Sequence, residues 1–182
     1  QLQKSLLAQH ENQIRFLNES DWLNEAPQEH VYVLANELLD AFPIHRVRYQ
    51  NGGFQESYVS WQEFEPHCQE IWVPIVDQRI VDYVNTMEVQ WLDGQMGEIN
   101  MEAVAWYDRL SRRILSGAVI AIDYGDVEEE LFASHRQKGT LMCYRRHEAH
   151  DNPFIDQGDQ DITAHVNFSL CQSAAVASGF EG

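Results

Sequence analysis

The sequence predicts an α/β fold built on a doubly wound, mostly parallel sheet. Residues 31–35 (VYVLA) and 118–122 (AVIAI) are continuous apolar, β-branched runs that stop abruptly at polar residues, as strands buried on both faces do. The second run follows a helical pattern and a tight turn. Helix, turn, buried strand and polar strand end, in this order, are typical of a doubly wound sheet, whose ligands bind at the carboxyl ends of the strands.

One element is predicted before the first strand and one directly after it. Apolar residues spaced through positions 2–17 are consistent with one face of a helix, although residues 14–17 could equally start a strand. After residues 31–35, the segment 38–42 is predicted to be a short helix that Pro43 ends.

A β-hairpin is predicted next, because residues 46–49 and 54–61 flank the turn signal Asn51-Gly52-Gly53. Residues 78–87 then predict a helix, and residues 101–115 predict a longer one whose apolar side chains step by three and four. Asn100 is a suitable cap for that longer helix.

Length and charge limit the function. The 182 residues are enough for one domain with a real core, and the chain has 12 Lys and Arg against 29 Asp and Glu, a net charge of -17. A field of this sign repels phosphate backbones and anionic lipids, so nucleic acid is excluded as an expected partner. Basic protein segments are favoured, unless the acidity serves solubility alone.

The three cysteines are too few and too scattered for a disulfide framework, which favours a reducing compartment. No apolar run approaches the roughly 20 residues that a membrane span needs.

Polar residues directly follow both predicted strands in the sequence. Asn36, Glu37 and Asp40 follow the first strand, and Asp123 and Tyr124 follow the second. Because the carboxyl ends of parallel strands open onto one crevice, these residues are expected to lie close together. The alternative is structural: Asn36 caps the next helix, and Asp123 starts a turn.

The segment 139–169 holds the third group of candidates, since it concentrates His, Arg and acidic residues without apolar periodicity. A divalent metal is one interpretation, but the spacing matches no known zinc pattern, and no metal site is predicted. Arg145 could clamp a carboxylate or pair with nearby acids. Asp161 could open a helix or cross-link the loop. The residues weighed as metal ligands are His147, His150, Asp151, Asp159, Asp161 and His165.

Four further segments stand in a specific order. They are VLANELLDAFP (33–43), GAVIAIDYG (117–125), GTLMCYRRH (139–147) and DITAHVNFS (161–169). Together they closely resemble the MidA-like family of S-adenosylmethionine-dependent methyltransferases, and the resemblance covers nearly the whole chain.

The resemblance implies a class I methyltransferase fold that uses S-adenosyl-L-methionine, with residues 31–35 as its fourth strand and 118–122 as its fifth. Mitochondrial members of the family are protein arginine methyltransferases that act in assembly of respiratory complex I. A protein substrate with a basic segment is therefore implied, in the cytoplasm of a bacterium or the mitochondrial matrix of a eukaryote.

Residue roles follow from the same resemblance. Glu37 is expected to orient a cationic acceptor, and Asn36 and Glu37 are expected to contact the cofactor. Asn36, Asp123 and Tyr124 complete the catalytic candidates. The residues expected to bind substrate are Asp40, Arg145, His147, Asp161 and His165.

The sequence departs from the family on the cofactor side: it contains neither the GxGxG turn that cradles the cofactor nor the acidic residue that follows the second strand of such enzymes. Residues 1–182 are therefore expected to form one domain, which is the carboxyl-terminal portion of a methyltransferase. The first strands of the sheet are expected to be absent from it. A hairpin insertion is expected around residues 44–75. A non-catalytic subunit that binds basic peptides is the alternative, and a metal-dependent hydrolase is a weaker one.

An incomplete sheet would leave the strand at residues 31–35 without one neighbour. Such an edge is a template for association. We expect it to pair with a second copy, to be covered by the amino-terminal segment, or to receive strands from a separate chain.

Overall fold

The computed structural model describes residues 2–64, 68–146, 148–155 and 157–182. The α-helices are α1 (Leu2–Leu6), α2 (Glu19–Leu23), α3 (Gln78–Thr86), α4 (Met101–Ser111), α5 (Glu128–Leu131) and α6 (Phe168–Ala177), and a 3-10 helix spans Ala8–His10. No helix within these described ranges is long and apolar enough to cross a membrane.

The strands are short and fall into four groups. They are β1 (Val31–Asn36), β2 (His45–Gln50), β3 (Gly53–Trp61), β4 (Cys68–Pro74), β5 (Met96–Ile99), β6 (Gly117–Ile122), β7 (Gly125–Asp126), β8 (Met142–Arg145), β9 (Glu148–His150), β10 (Asp161–Thr163) and β11 (Val166–Asn167).

The two predicted buried strands pair with each other in parallel. Val31 of β1 lies opposite Gly117 of β6, and the register continues to Asn36 and Ile122. Gly117 is required at the start of β6, because its φ is +142° and a Cβ there would lie 1.8 Å from the Val31 carbonyl oxygen. Both predicted strands are thus confirmed, and their carboxyl ends meet at one edge. The expected burial on both faces is wrong for the described residues, because the outer face of each strand is exposed.

One face of this pair packs on the main core. Ala35 of β1 lies in a cluster with residues of α4 and α6, and Val33, Val119 and Ala121 pack against it. Helix α4 runs along this face because its apolar side chains repeat at helical spacing, and the Asn100 side chain accepts a hydrogen bond from the Ala103 N–H at 2.8 Å. The predicted cap is therefore confirmed.

The hairpin belongs to a four-stranded antiparallel sheet in the order β4-β3-β2-β5. Its turn lies at Asn51 and Gly52, both with positive φ, as predicted from the sequence. A second core joins this sheet to α3 and contains Val47, Ile80, Val84 and Ile99.

The helix predicted over residues 38–42 is wrong, and so is one of the two alternatives for Asp161. Residues 38–42 form a turn, because Asp123 Oδ2 accepts the N–H groups of Leu38, Leu39 and Asp40 at 2.8 to 3.3 Å and fixes a non-helical path. The possible helix start at Asp161 is strand β10, which pairs antiparallel with β8.

Strand β1 pairs only with β6 within the described residues. The amino-terminal segment is not paired with β1 and packs near the end of α4 instead, where the Arg113 side chain donates to the carbonyl oxygens of Trp22 and Glu25. Tyr32 and Leu34 are 75% and 70% exposed on the outer face. Pairing with a second copy and completion by a separate chain both stay predictions.

Candidate functional site

A cavity of about 790 Å³ lies at the carboxyl ends of β1 and β6. It brings together five residues that the sequence predicts as functional. These are Glu37, Asp40, Tyr124, Asp161 and His165. Three of the five carry carboxylates, so the cavity is suited to a cation.

Glu37 directly follows β1 and has a left-handed backbone, with φ at +47°. Its N–H donates to the carbonyl oxygen of Ile122 at 2.8 Å, which extends the pairing of β1 and β6 by one bond and leaves the side chain exposed. A left-handed conformation costs a non-glycine residue about 1 kcal/mol or more. Such strain is frequent at functional sites.

Asp123 supports the site from beneath rather than lining it. Its Oδ2 accepts three backbone N–H groups of the 38–40 turn, and its Oδ1 accepts the N–H of Tyr124 at 2.8 Å. The turn that presents Asp40 is therefore anchored to the end of β6. The catalytic role expected for Asp123 stays a prediction, and its contacts show that it also supports the 38–40 turn.

Asp40 lies among like charges. Burial, and next the carboxylate of Asp123, raise the pKa of Asp40 above its ordinary value of 3.8, and Glu37 adds to the effect. The carbonyl oxygen of Asp40 also accepts the N–H of Ala164 at 3.1 Å. This bond ties the turn to the segment between β10 and β11.

The opposite wall is one face of the β8–β10 pair. Tyr144 lies opposite Asp161, and Met142 lies opposite Thr163, so these four side chains share a face. All four line the cavity. An aromatic ring beside a carboxylate suits a flat cation such as guanidinium.

Thr140 joins the cavity to the four-stranded sheet. Its hydroxyl donates to Glu98 Oε2 at 3.0 Å and accepts the N–H of His165 at 3.1 Å, and its own N–H also donates to Glu98 Oε2. Burial raises the pKa of Glu98 despite these bonds. Gly139 permits this close approach, because a Cβ there would lie 2.2 Å from Glu98 Oε1.

His165 stands at the rim of this network. Burial, and then the charge of Arg136, lower the pKa of its imidazole. A neutral imidazole is a proton acceptor near neutral pH.

The remaining candidates lie elsewhere. Asn36 is the exposed last residue of β1 and does not line the cavity. Arg145 lines a separate cavity of about 340 Å³ with Arg146, Glu148, His150 and Ile155. His147 lies outside the described residues.

The sequence analysis missed several lining residues, above all Thr140, Met142, Tyr144 and Gln160. Tyr144 carried a usable signal, since it lies in a resembling segment and at strand spacing from Met142. Thr140 lies in the same segment, but its role could not be predicted there, because it depends on a partner 42 positions away.

No group of three or more His, Cys, Asp or Glu side chains in the described part of the chain is arranged to hold a metal ion. Of the residues weighed as ligands, Asp151 lies 3.6 Å from Lys138 in an ion pair, and His150 lies in the separate cavity.

Comparison with curated proteins shows similarity to two mitochondrial enzymes. The chain is 28% identical over 162 residues to the "Protein arginine methyltransferase NDUFAF7 homolog, mitochondrial" of Drosophila melanogaster, which covers 86% of this chain and 35% of that protein. The NDUFAF7 enzyme of Xenopus laevis is 24% identical over 150 residues, 81% of this chain and 32% of its own length. The chain thus spans about a third of these relatives.

Two crystal structures from Burkholderia thailandensis share the fold. One, described as a "likely methyl transferase" bound to S-adenosyl-homocysteine, has a TM-score of 0.80 and 31% identity, and the match covers 97% of this chain and 44% of that one. The other, a native structure of an uncharacterised protein, has a TM-score of 0.82 at the same identity and 46% coverage of its chain.

A family model described as "putative S-adenosyl-L-methionine-dependent methyltransferase" matches residues 1–181, nearly the entire chain. This match agrees with the resemblance seen in the four ordered segments and with the α/β fold shared with the two crystal structures. The chain belongs to the family of S-adenosyl-L-methionine-dependent methyltransferases that this model describes.

Proposed function

We propose that residues 1–182 form the methyl-acceptor side of a protein arginine methyltransferase. The observation that carries the proposal is the cavity at the ends of β1 and β6, where Glu37, Asp40 and Asp161 gather three carboxylates. A protonated guanidinium needs such a partner to be held and oriented. The names of the mitochondrial relatives support arginine as the acceptor.

Each carboxylate has a distinct task in this proposal. Glu37 orients the guanidinium by paired hydrogen bonds, since its side chain stands exposed at the strand end. Asp40 takes up the proton that a methylated nitrogen releases, because its raised pKa makes it a better base than an ordinary aspartate. Tyr124 and Tyr144 border the planar guanidinium, and Asp161 adds negative charge that attracts it.

The cofactor would be held partly by this chain. When bound, S-adenosyl-L-methionine supplies a methyl group on a positively charged sulfur. Asn36 and Glu37 fit as contacts on one side of it, because they are exposed polar residues where ligands of parallel sheets bind. The remainder of a cofactor cradle does not fit within residues 1–182, since the sequence has no GxGxG turn.

The missing portion is proposed to complete the sheet as well. Strand β1 has one partner among the described strands, and its outer face exposes Tyr32 and Leu34. Parallel sheets normally have neighbours and cover on both faces. We propose that the first strands come from the rest of a longer polypeptide, from a separate chain or from a second copy.

Protein arginine methylation that acts in assembly of respiratory complex I is the specific version of this function that the resemblance favours. It would place the protein in the mitochondrial matrix of a eukaryote or the cytoplasm of a bacterium. The basic segment of such a substrate would complement the net charge of -17.

The test uses the full-length protein, labelled S-adenosyl-L-methionine and the peptide acetyl-Gly-Gly-Arg-Gly-Gly-amide. We expect labelled methyl on arginine and none on the matching lysine peptide. Glu37→Gln should lower the rate by about a hundredfold or more, because it keeps the shape of the side chain and removes its charge. Equal rates for wild type and Glu37→Gln would remove Glu37 from the mechanism.

A further inference from the structure

Asp123 joins the ends of the two parallel strands through both oxygens of its carboxylate. Oδ2 accepts the N–H groups of Leu38, Leu39 and Asp40 at 3.1, 2.8 and 3.3 Å. Oδ1 accepts the N–H of Tyr124 at 2.8 Å. Three successive backbone N–H groups around one oxygen form a small concave anion site. A single side chain at the end of β6 therefore holds the turn that follows β1.

The carbonyl groups of this turn have partners of their own. The Leu39 carbonyl oxygen accepts Nδ2 of Asn100 at 2.9 Å, and the Asp40 carbonyl oxygen accepts the N–H of Ala164 at 3.1 Å. Loss of the Asp123 carboxylate would free the N–H side of the turn and leave these two bonds in place. The expected result is a local change in the direction of the Asp40 side chain, not a loss of the fold.

Asp123 lies beneath the cavity and does not line it. On its other side is Cys171 of α6, where burial and then the charge of Asp123 raise the pKa of the thiol to about 12. That thiol is therefore neutral. No Lys, Arg or His among the described residues forms an ion pair with Asp123. Its negative charge is met by backbone N–H groups and still acts on its neighbours.

Asp40 is the neighbour that this charge affects at the cavity. Burial is the largest cause of its raised pKa, and Asp123 contributes more than Glu37 does. The imidazole of His165, across the cavity, has a lowered pKa and adds no positive charge near neutral pH. Asp123 can thus act on Asp40 from a position that an acceptor does not reach. The titratable residues that line the cavity are Glu37, Asp40, Tyr124, Tyr144, Asp161 and His165.

We propose that Asp123 is a positioning residue of the acceptor cavity, which holds the 38–40 turn so that the Asp40 carboxylate faces the acceptor nitrogen. It does so without touching the acceptor. The proposal rests on the proposed function for the reaction and for Asp40 as the group that takes up the proton. Asp123 supplies both a geometry and a negative charge, and the two can be tested separately.

Two variants of the full-length protein separate the geometry from the charge. Asp123→Asn keeps the size of the side chain and one acceptor oxygen but removes the charge. Asp123→Glu keeps the charge but moves the oxygens by one methylene, away from the N–H groups of the turn. With the peptide acetyl-Gly-Gly-Arg-Gly-Gly-amide, we expect kcat to fall by about tenfold or more in both variants. KM should change by less than about threefold, because Asp123 does not contact the acceptor.

The pH dependence of kcat/KM distinguishes the two variants. The rate should rise with pH as Asp40 loses its proton, because only the carboxylate accepts one. Removal of the neighbouring negative charge lowers the pKa of Asp40, so this rise should move to lower pH in Asp123→Asn by about half a pH unit or more. In Asp123→Glu the charge remains, and the rise should move less than half as far. A role in folding alone would lower the rate without moving the rise.

Asp93→Asn is the matched control. Asp93 also holds a turn, since its Oδ1 accepts the N–H of Asn51 at 2.6 Å, but it does not line the cavity. We expect its kcat and its pH dependence to match wild type. An unchanged kcat in Asp123→Asn, or a rise that moves equally in both Asp123 variants, would overturn the proposal. If Asp123→Asn does not fold, Asp123→Glu decides, and a wild-type kcat there would overturn it.

Nuclear magnetic resonance tests the same contacts without turnover. In the full-length protein, the side-chain carboxyl of Asp40, assigned with Asp40→Asn, should titrate at lower pH in Asp123→Asn than in wild type. The amide hydrogens of Leu38 and Leu39 should exchange faster in both Asp123 variants. If these changes appear but the wild type does not methylate the peptide, the proposed function fails while the hold of Asp123 on the turn and on Asp40 stands. Absence of both changes would overturn the proposal whatever the activity.

Discussion

Glu37 combines an unfavourable backbone with an exposed carboxylate at the end of β1. Its φ of +47° is supported by the hydrogen bond to the Ile122 carbonyl oxygen, not by packing of its side chain. A position selected for stability alone would favour glycine here. The strain is therefore attributed to the function of the side chain.

Glu37→Gly tests that attribution. We expect no loss of stability and a gain of up to about 1 kcal/mol, because relief of the left-handed strain offsets the added chain entropy of glycine. Methyl transfer should nevertheless fall as far as in Glu37→Gln. Urea unfolding and the peptide assay measure the two effects. Asn51→Gly is the control, since Asn51 also has a positive φ but lies in the hairpin turn; it should leave the rate unchanged.

Asp40→Asn tests the electrostatics of the cavity. Because the pKa of Asp40 is raised in the folded state, that state holds more protons than the unfolded chain at pH values just above 3.8, and stability falls as pH rises through this window. Asparagine cannot ionise. The variant should therefore be more stable than wild type at pH 7, and the difference should shrink toward zero below pH 3.8. Denaturant unfolding across this range would contradict the account if the difference grew at low pH.

At the scale of elements, the sequence predicted the strands and helices whose apolar residues form a regular local pattern. Strands β1 and β6 and helix α4 were identified because continuous apolar runs and helical spacing are local patterns. The turn at 38–42 was misread, since its path depends on Asp123 more than 80 positions away. Strand β10 was missed because only three residues form it, and the polar wall it builds with β8 has no periodicity.

The candidate site likewise contains residues that local sequence patterns predict and residues that only the three-dimensional structure identifies. Glu37, Asp40 and Tyr124 could be grouped from the sequence, because they follow parallel strands and such ends converge. Thr140 could not, since its link to Glu98 and His165 exists only in three dimensions.

Thr140→Val tests the link between the four-stranded sheet and the cavity wall. Valine keeps the volume but removes the hydroxyl that donates to Glu98 and accepts from His165, so we expect a loss of about 1 to 3 kcal/mol in the free energy of unfolding. The His165 amide should also exchange its hydrogen faster. Thr140→Ser keeps the hydroxyl and should retain slow exchange, and equally fast exchange in both variants would show that the hydroxyl is not the link.

At the scale of the whole molecule, the described residues form two hydrophobic cores, and the parallel pair of β1 and β6 is open on its outer face. The antiparallel sheet with α3 has its own buried cluster, and α4 and α6 cover only one face of β1 and β6. The chain also spans 44% and 46% of the crystal structures that it resembles. Both observations support a site divided between this chain and a further portion that would hold most of the cofactor.

The central claim is that the acceptor side lies within residues 1–182 and most of the cofactor side lies outside them. The most direct test is a calorimetric titration of residues 1–182 and of the full-length protein with S-adenosyl-L-methionine and, separately, with the peptide acetyl-Gly-Gly-Arg-Gly-Gly-amide. We predict that the peptide binds both forms within about threefold, and that the cofactor binds residues 1–182 at least about a hundredfold more weakly, because the amide-rich turn that cradles it is missing. Equal cofactor affinity of the two forms would contradict the claim.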